Sequence, residues 1–385
     1  MGFDFCCPYC KSKLEAEDDW EGKISDCPSC GKQLIIQRDD GNAVGNGENH
    51  DKIHVKDMKV KADETIRKTF ELEKLEGFSF SRFMGQMFKR HPWGEIEDYL
   101  TFGTPRNTPR IDDVNAAWPA PWLFFRVMVL TVLLYLFIVW RADFFGRIYV
   151  VMPLLFTGVI GIPLAALLFF WEINIPRNVS VLSLVRIMLV SGFVSVAITV
   201  LLHKYVAHPE SAIWAGPIEE SAKLLTMMLF VRNGKYRFKL NGLLIGAAVG
   251  AGFAIIETGG YVLNAGNDGT MELRAVLSPL GHIPYSAIVG FALWRVKGKS
   301  GFSFYDLMNQ KFISLFALAI GLHMFWNSNL LKSEFLIKCA IVAVIEYVVI
   351  IYLTQNGINE IRELKADSSV ASHETGADAP SQIQP

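Results

Sequence analysis

Glu219 and Glu220 stand side by side in an apolar run, with Lys223 one turn further on, in Ala215-Gly-Pro-Ile-Glu219-Glu220-Ser-Ala-Lys223. Carboxylates at membrane depth cost about 2.5–3.5 kcal/mol each, so they are rare and usually face a polar interior. Three further apolar stretches carry polar groups: Phe253-x-x-x-Glu257-x-x-x-Tyr261, then His282, then His323-Met-Phe-Trp326-Asn327. A carboxylate can take a proton from water, and a neutral imidazole or an amide can donate to a developing oxyanion. Glu219, Glu220, His282, His323 and Asn327 are therefore the candidate catalytic groups for peptide-bond hydrolysis without a covalent intermediate. The sequence has no Gly-x-Ser-x-Gly elbow and no His-Glu-x-x-His zinc helix. A metal held by Glu and His from several helices stays open, because both ligand types suit zinc.

The spacing within each stretch supports a shared site. Glu219 and Lys223 are four apart, so the lysine is expected to neutralise one carboxylate while the other stays available. His323 and Asn327 repeat that interval and could point at one substrate carbonyl. Glu257 and Tyr261 repeat it again, and with Lys223 they make up the supporting set. Gly242, Gly246, Gly250 and Gly252 leave one side of their helix bare, which suits close helix packing better than a ligand site. Trp326 and Cys339 read as packing residues, Arg126 and Arg186 as snorkelling cations, and Glu346 as a group hydrogen-bonded between helices.

Membrane helices must position these groups. Hydrophobic residues make up 51% of the chain, and mean hydropathy is +0.28. Beyond Trp118, apolar runs recur that are long enough to cross ~30 Å of hydrocarbon. Eight spans are expected, near 122–140, 148–170, 180–202, 212–231, 240–263, 275–296, 312–330 and 335–354. Counted from their outer ends, Glu219, Glu257, His282 and His323 each lie about seven or eight residues in, roughly 10–12 Å deep. One common layer is what a single site requires.

The loop after the fourth span carries Arg232, Lys235, Arg237 and Lys239, and the loop after the sixth carries Arg295, Lys297, Lys299 and Lys311. The opposite loops hold fewer, chiefly Lys204, Arg274, Lys332, Arg141 and Arg147. Both termini are therefore expected on the cytoplasmic side of the cell membrane. The first 118 residues are polar, and no signal peptide is expected.

Within that polar stretch, Cys7-Pro-Tyr-Cys10 and Cys27-Pro-Ser-Cys30 have the spacing of a four-cysteine zinc ribbon over residues 1–36, with Cys6 either a spectator or paired with Cys10 in place of Cys7. Paired disulfides would conflict with a cytoplasmic location. Residues 39–64 read as a flexible linker. The apolar and basic positions from Thr65 to Arg90 suit either a helix lying on the membrane surface or a segment packed on cytoplasmic loops. The fold class is thus an all-α polytopic membrane protein of about eight transmembrane helices, preceded by a small zinc-ribbon β module.

Glu219-Glu220-x-x-Lys223, Phe253-x-x-x-Glu257-x-x-x-Tyr261, His282 and His323-x-x-Trp326-Asn327, in that order, resemble the successive motifs of the PrsW family of intramembrane proteases. That family belongs to the clan of CAAX prenyl endopeptidases and bacteriocin-processing enzymes. The resemblance covers roughly residues 120–355. It implies that Glu219 and Glu220 are catalytic, one of them activating water. It further implies that His282 and His323 are catalytic or oxyanion-binding, with Asn327 assisting and Glu257 and Tyr261 supporting. Family members often carry Asn after the Glu of the second motif, where this chain has Thr258. The namesake activity, cleavage of a membrane-anchored anti-sigma factor near the outer face, implies a membrane-anchored protein substrate. The expected domains are then the ribbon (1–36), a cytoplasmic linker with a juxtamembrane helix (37–118), the PrsW-like protease (119–355) and a disordered tail (356–385).

Two rival classes share some of these features. A proton-coupled transporter would also bury Glu and His at one depth, but no internal repeat is visible, and only Pro217 and Pro284 suggest broken helices. A non-catalytic scaffold would display the ribbon to a cytoplasmic protein partner and would tolerate loss of the glutamates. No nucleic acid partner is expected.

Overall fold

The computed structural model describes residues 2–36, 63–206, 212–232, 234–265, 276–297 and 301–376. Most of the linker expected at 39–64 lies outside the described residues. The chain divides into two compact units, Met1–Lys68 and Thr69–Pro385.

The first unit is built from two short hairpins. Strand β1 (Gly2–Cys6) pairs antiparallel with β2 (Lys13–Glu17), and β3 (Ile24–Asp26) pairs with β4 (Gln33–Ile35). Each hairpin turns through a cysteine knuckle of the same design. Cys7 N–H donates to Ser12 O and Lys11 N–H to Cys7 O; Cys27 N–H donates to Lys32 O and Gly31 N–H to Cys27 O. The residue after the second cysteine of each knuckle is left-handed, Lys11 at φ +61° and Gly31 at φ +69°, which wraps the backbone around the thiols. Phe5, Ala16, Leu34 and Ile36 form a small core with Cys7 and Cys27.

The second unit is helical. Two short helices, α1 (Phe80–Met84) and α2 (Trp93–Leu100), precede the apolar part. There follow α3 (Leu123–Trp140), α4 (Ile162–Ile173), α5 (Val181–Tyr205), α6 (Ala215–Val231), α7 (Lys239–Ala265), α8 (His282–Val296), α9 (Gln310–Asn327) and α10 (Phe335–Gly376). Among the described residues, five stretches, Leu123–Trp140, Met152–Ile173, Val181–Tyr205, Lys239–Tyr261 and Phe335–Ser368, are helices long and apolar enough to cross a membrane. The other three expected spans correspond to α6, α8 and α9, with 17, 15 and 18 residues. These three are the helices that carry Glu219, Glu220, Lys223, His282 and His323.

Helix α7 is the axis of this unit: 83% of its apolar stretch is buried, against 6% for α3 at the periphery. Its glycines allow this, because a Cβ at Gly246 would overlap the Ser286 carbonyl and one at Gly250 the His282 carbonyl. The stripe is packing, as its pattern suggested, and it sets how closely α8 approaches.

One expected boundary moves. The chain is helical past position 355, to Gly376, where a disordered tail was expected from 356. Ile358 and Ile361 are fully buried, so apolar contacts continue the helix beyond the membrane-length run. Residues 69–118 contact the helix ends. Glu76 N–H and Trp118 Nε1–H both donate to Gln355 Oε1, at 2.9 and 2.8 Å. Arg126, expected to snorkel, donates instead to the carbonyls of Met87 and Lys89. Glu172, fully buried, accepts from the backbone N–H groups of Trp122, Leu123 and Phe124 and so caps α3 from a neighbouring helix.

Candidate active site

Four helices bring the intramembrane polar groups into one cluster. Glu219 and Glu220 are the fifth and sixth residues of α6, Glu257 lies in the last third of α7, His282 opens α8, and His323 lies in the last turns of α9. The shared layer expected from sequence is present as direct contact, but His282 reaches it differently. It was counted seven residues into a span from 275, whereas α8 starts at His282 itself. The cause is local: Gly281 adopts φ +147°, and Pro284 sits in the first turn, where a missing N–H costs nothing. Pro284 therefore starts this helix and does not kink it.

The bonds divide the two adjacent glutamates. Lys223 Nζ donates to Glu220 Oε1 at 2.6 Å, and both side chains are fully buried. The carboxylate that Lys223 neutralises is thus Glu220, its i,i+3 neighbour. Phe253 supports the lysine, with Nζ 4.4 Å from the ring centre. Glu219 Oε2 instead faces two imidazoles, 3.8 Å from His282 Nδ1 and 3.8 Å from His323 Nε2.

Each imidazole is backed by a second carboxylate. His282 Nε2 lies 2.9 Å from Glu257 Oε2, and His323 Nδ1 lies 2.9 Å from Glu220 Oε1. A carboxylate accepts, so these ring nitrogens donate, and the nitrogens facing Glu219 carry lone pairs. Lys223 Nζ, 2.9 Å from His282 Nδ1, agrees with that assignment, because an ammonium can only donate. The ligand atoms of Glu219, His282 and His323 all lie within 4.8 Å of one another. Two imidazoles and one carboxylate form a ligand set used by catalytic zinc, and backing carboxylates are the usual outer shell of metal-binding histidines. The donor set therefore fits a metal ion.

Beside the cluster is a cavity of about 50 Å³, walled by Glu257, Thr258, Gly281, His282, Tyr285, His323 and Trp326 among others. A water needs roughly 10–15 Å³, so solvent has room beside the histidines. Tyr285 was missed in the sequence. Its ring stacks on His323 at 5.5 Å and 25°, and the available signal was its position three residues after His282 on one helix.

Two expected members stand apart from these bonds. Asn327 ends α9, and its amide donates to Ala212 O at 3.1 Å, just ahead of α6, in place of sharing a target with His323. Tyr261, 47% exposed, lies one turn beyond Glu257. Glu346 also differs from expectation: it is fully buried, and neither of its oxygens has a hydrogen-bond partner among the described residues.

The four cysteines of the first unit form a separate cluster, with ligand atoms within 4.8 Å of one another and none in a disulfide. Cys7 and Cys30 sulfurs are 3.9 Å apart, and Cys10 and Cys27 sulfurs 3.7 Å. Zn–S bonds of ~2.3 Å in a tetrahedron separate sulfurs by about 3.8 Å, so these cysteines could hold zinc. Hydrogen bonds from the Ser12 side chain, then its backbone, hold the Cys10 thiol down at about 6.

A family model for the PrsW family intramembrane metalloprotease matches residues 164–354, the stretch that contains every group of the intramembrane cluster. Protease PrsW of Halalkalibacterium halodurans is 26% identical over 151 residues, covering 37% of this chain and 70% of that protein. Protease PrsW of Shouchella clausii is 31% identical over 85 residues, covering 22% of this chain and 39% of that protein. No solved structure matches. With its motifs converging on α6, α7, α8 and α9, this multi-pass membrane protein is an intramembrane protease of the PrsW type.

Proposed function

We propose that the chain is an endopeptidase that hydrolyses a membrane-anchored protein, of the anti-sigma-factor type, near the outer leaflet of the cell membrane, with both termini cytoplasmic. The observation that carries this reading is Glu219 Oε2 lying 3.8 Å from the lone-pair nitrogens of both His282 and His323. In this reading Glu219 takes the proton of the attacking water. The lone-pair Nε2 of His323 accepts the water's other O–H and aims its oxygen at the scissile carbonyl, while His282, whose Nδ1 accepts from Lys223, lines the site beside it. Glu257 and Glu220 fix the tautomer and aim of the two rings through the bonds at 2.9 Å. Lys223 pairs with Glu220 and holds it in place, and Asn327 is a positioning residue that fastens the start of α6 to the end of α9. Tyr261 belongs to the rim by which substrate arrives. If the family's metal is bound, Glu219, His282 and His323 hold it, and it supplies Lewis-acid polarisation of the carbonyl and a lowered water pKa.

The ribbon carries a structural zinc on Cys7, Cys10, Cys27 and Cys30 and offers a recognition surface to a cytoplasmic protein partner. Asp18, Asp19 and Glu21 beside Trp20 disfavour nucleic acid there. The transporter and scaffold readings are weaker, because neither needs two carboxylate-backed imidazoles facing one carboxylate.

Membrane proteomics of cells carrying wild type or Glu219→Ala/Glu220→Ala tests the proposal. Single-pass proteins should lose their ectodomains only in the wild type, with the cut near the outer face. No difference, with the variant folded and in the membrane, would sink the protease reading.

A further inference from the structure

At the other end of α6 from Glu219 lies a second, larger cavity of about 240 Å³. Glu219 and Val231, the last residue of α6, are separated by roughly 18 Å of helix, so the two sites belong to opposite ends of the bundle. Three segments enclose the cavity: residues 108–114, the loop through Pro176 and Asn178, and the turn 234–238 that joins α6 to α7. Among the described residues its wall holds two charged side chains, Lys235 and Arg237, both cationic, and Lys235 Nζ also donates to Gly103 O at 3.4 Å.

The turn is built to aim those cations together. Exposure alternates along it: Lys235 and Arg237 are exposed, while Tyr236 and Phe238 are buried at 4% and 6%. Both cations line the same cavity, so they share one side of the turn. Buried polar groups lock the turn from behind. Asn178 Nδ2 donates to Lys235 O at 2.9 Å and to Asn241 Oδ1 at 3.0 Å, and Asn241 Nδ2 donates to Asn178 Oδ1 at 2.7 Å and Asn174 Oδ1 at 3.0 Å. On the other flank, Trp294 Nε1 and Lys297 Nζ both donate to Tyr236 O, at 2.6 and 2.8 Å. Arg237 lies over the Phe238 ring at 4.8 Å, which fixes the guanidinium plane.

We infer that the Lys235–Arg237 turn and its cavity form a binding site for a phosphate-bearing anion, on the membrane face opposite the peptidase groups. A guanidinium offers paired donors to two phosphate oxygens, and an ammonium adds a point charge. The cavity is smaller than drug-sized ligand pockets, which start at about 300 Å³, and so suits one headgroup-sized anion. Basic pockets at the cytoplasmic ends of membrane helices take anionic lipid headgroups, and a soluble phosphate would satisfy the same donors. Because α6 carries Glu219, Glu220 and Lys223, an anion here anchors the far end of the helix that presents them.

The full-length protein in phosphatidylcholine nanodiscs separates the sources. One arm adds inorganic phosphate, the other replaces a small fraction of the lipid by phosphatidylglycerol, and the melting temperature is followed in both. Wild type should be stabilised in at least one arm: by phosphate if the ligand is soluble, by phosphatidylglycerol alone if it is a headgroup. Arg237→Gln should weaken the response about tenfold in apparent affinity, the loss of a charge-assisted hydrogen bond. Arg232→Gln removes the same charge from the same loop but not from the cavity wall, and should change it less than about twofold. Thr108→Trp, which fills the cavity and leaves the charges, should abolish it. No response of wild type in either arm overturns the site. So does an equal loss in Arg232→Gln and Arg237→Gln, which would mean that the loop attracts anions without a site.

Discussion

Glu220 and Lys223 form a fully buried ion pair at 2.6 Å, and the same Glu220 oxygen accepts from His323 Nδ1 at 2.9 Å. Glu219, its sequence neighbour, faces both histidines from the other side. The two glutamates therefore differ in kind: Glu220 is tied into the protein, and Glu219 looks into the site. Removing one partner of a buried pair strands the other charge, at a cost of about 3–5 kcal/mol. Glu220→Ala should consequently lower the melting temperature in detergent far more than Glu219→Ala does. Joint replacement as Glu220→Leu/Lys223→Met should recover most of that loss while leaving the enzyme inactive. Equal destabilisation by Glu219→Ala and Glu220→Ala would contradict the division.

Glu219→Gln is nearly isosteric and leaves the Glu220–Lys223 pair in place. It should retain the wild-type melting temperature and lose about 10²–10⁴ in cleavage rate, the usual contribution of a general base. A reconstituted enzyme with a fluorescently tagged single-pass substrate measures both quantities on one preparation. Full activity in this variant would move the base elsewhere.

Glu257 acts through His282, so its removal should be graded where that of Glu219 is severe. Glu257→Gln keeps an acceptor oxygen for His282 Nε2 but removes the charge, and outer-shell changes of this kind typically cost 10–100-fold. The loss should fall on kcat with KM little changed, because the ring is misaimed and not removed. A change confined to KM would instead place Glu257 in substrate binding.

Much of this site was legible in the sequence because membrane burial makes polar residues conspicuous. Glu219, Glu220, Glu257, His282 and His323 stood out against apolar runs, and the structure joins them. What spacing could not supply was side-chain direction. Three and four residues apart are both neighbours on a helix, so Lys223 could have served either glutamate, and only packing against α8 decided it. Asn327 shares a face with His323 by periodicity, yet it ends α9, where the carbonyl of Ala212 claims its amide. Tyr285 was hidden for the opposite reason, being an aromatic residue in an apolar helix that looks like any other. The tail beyond 355 was misread because its polar composition masks two buried isoleucines a turn apart.

The cysteine cluster makes a prediction that does not depend on the peptidase site. Cys10→Ser in the full-length protein should lower bound zinc by one equivalent, measured by elemental analysis after purification without chelator. The remaining content should be unchanged from wild type, whatever metal the Glu219, His282 and His323 set holds. Unaltered zinc in Cys10→Ser would show that the four sulfurs are not a shared site.

Glu346 is the test of whether every buried carboxyl in this bundle is functional. It is fully buried on α10, and neither oxygen has a hydrogen-bond partner among the described residues. An unsatisfied buried polar group costs about 1–3 kcal/mol, and filling its place with an apolar side chain of similar length removes that cost. Glu346→Met should therefore raise the melting temperature by a few degrees, at about 4–8 °C per kcal/mol for small domains and less for larger ones. Cleavage should stay within about twofold of wild type. Glu220→Met, with the same chemical change, should do the reverse on both counts, because there the carboxylate holds Lys223 and His323. A Glu346→Met protein that melts no higher and has lost activity would mean that the bundle tolerates this carboxyl for the sake of function.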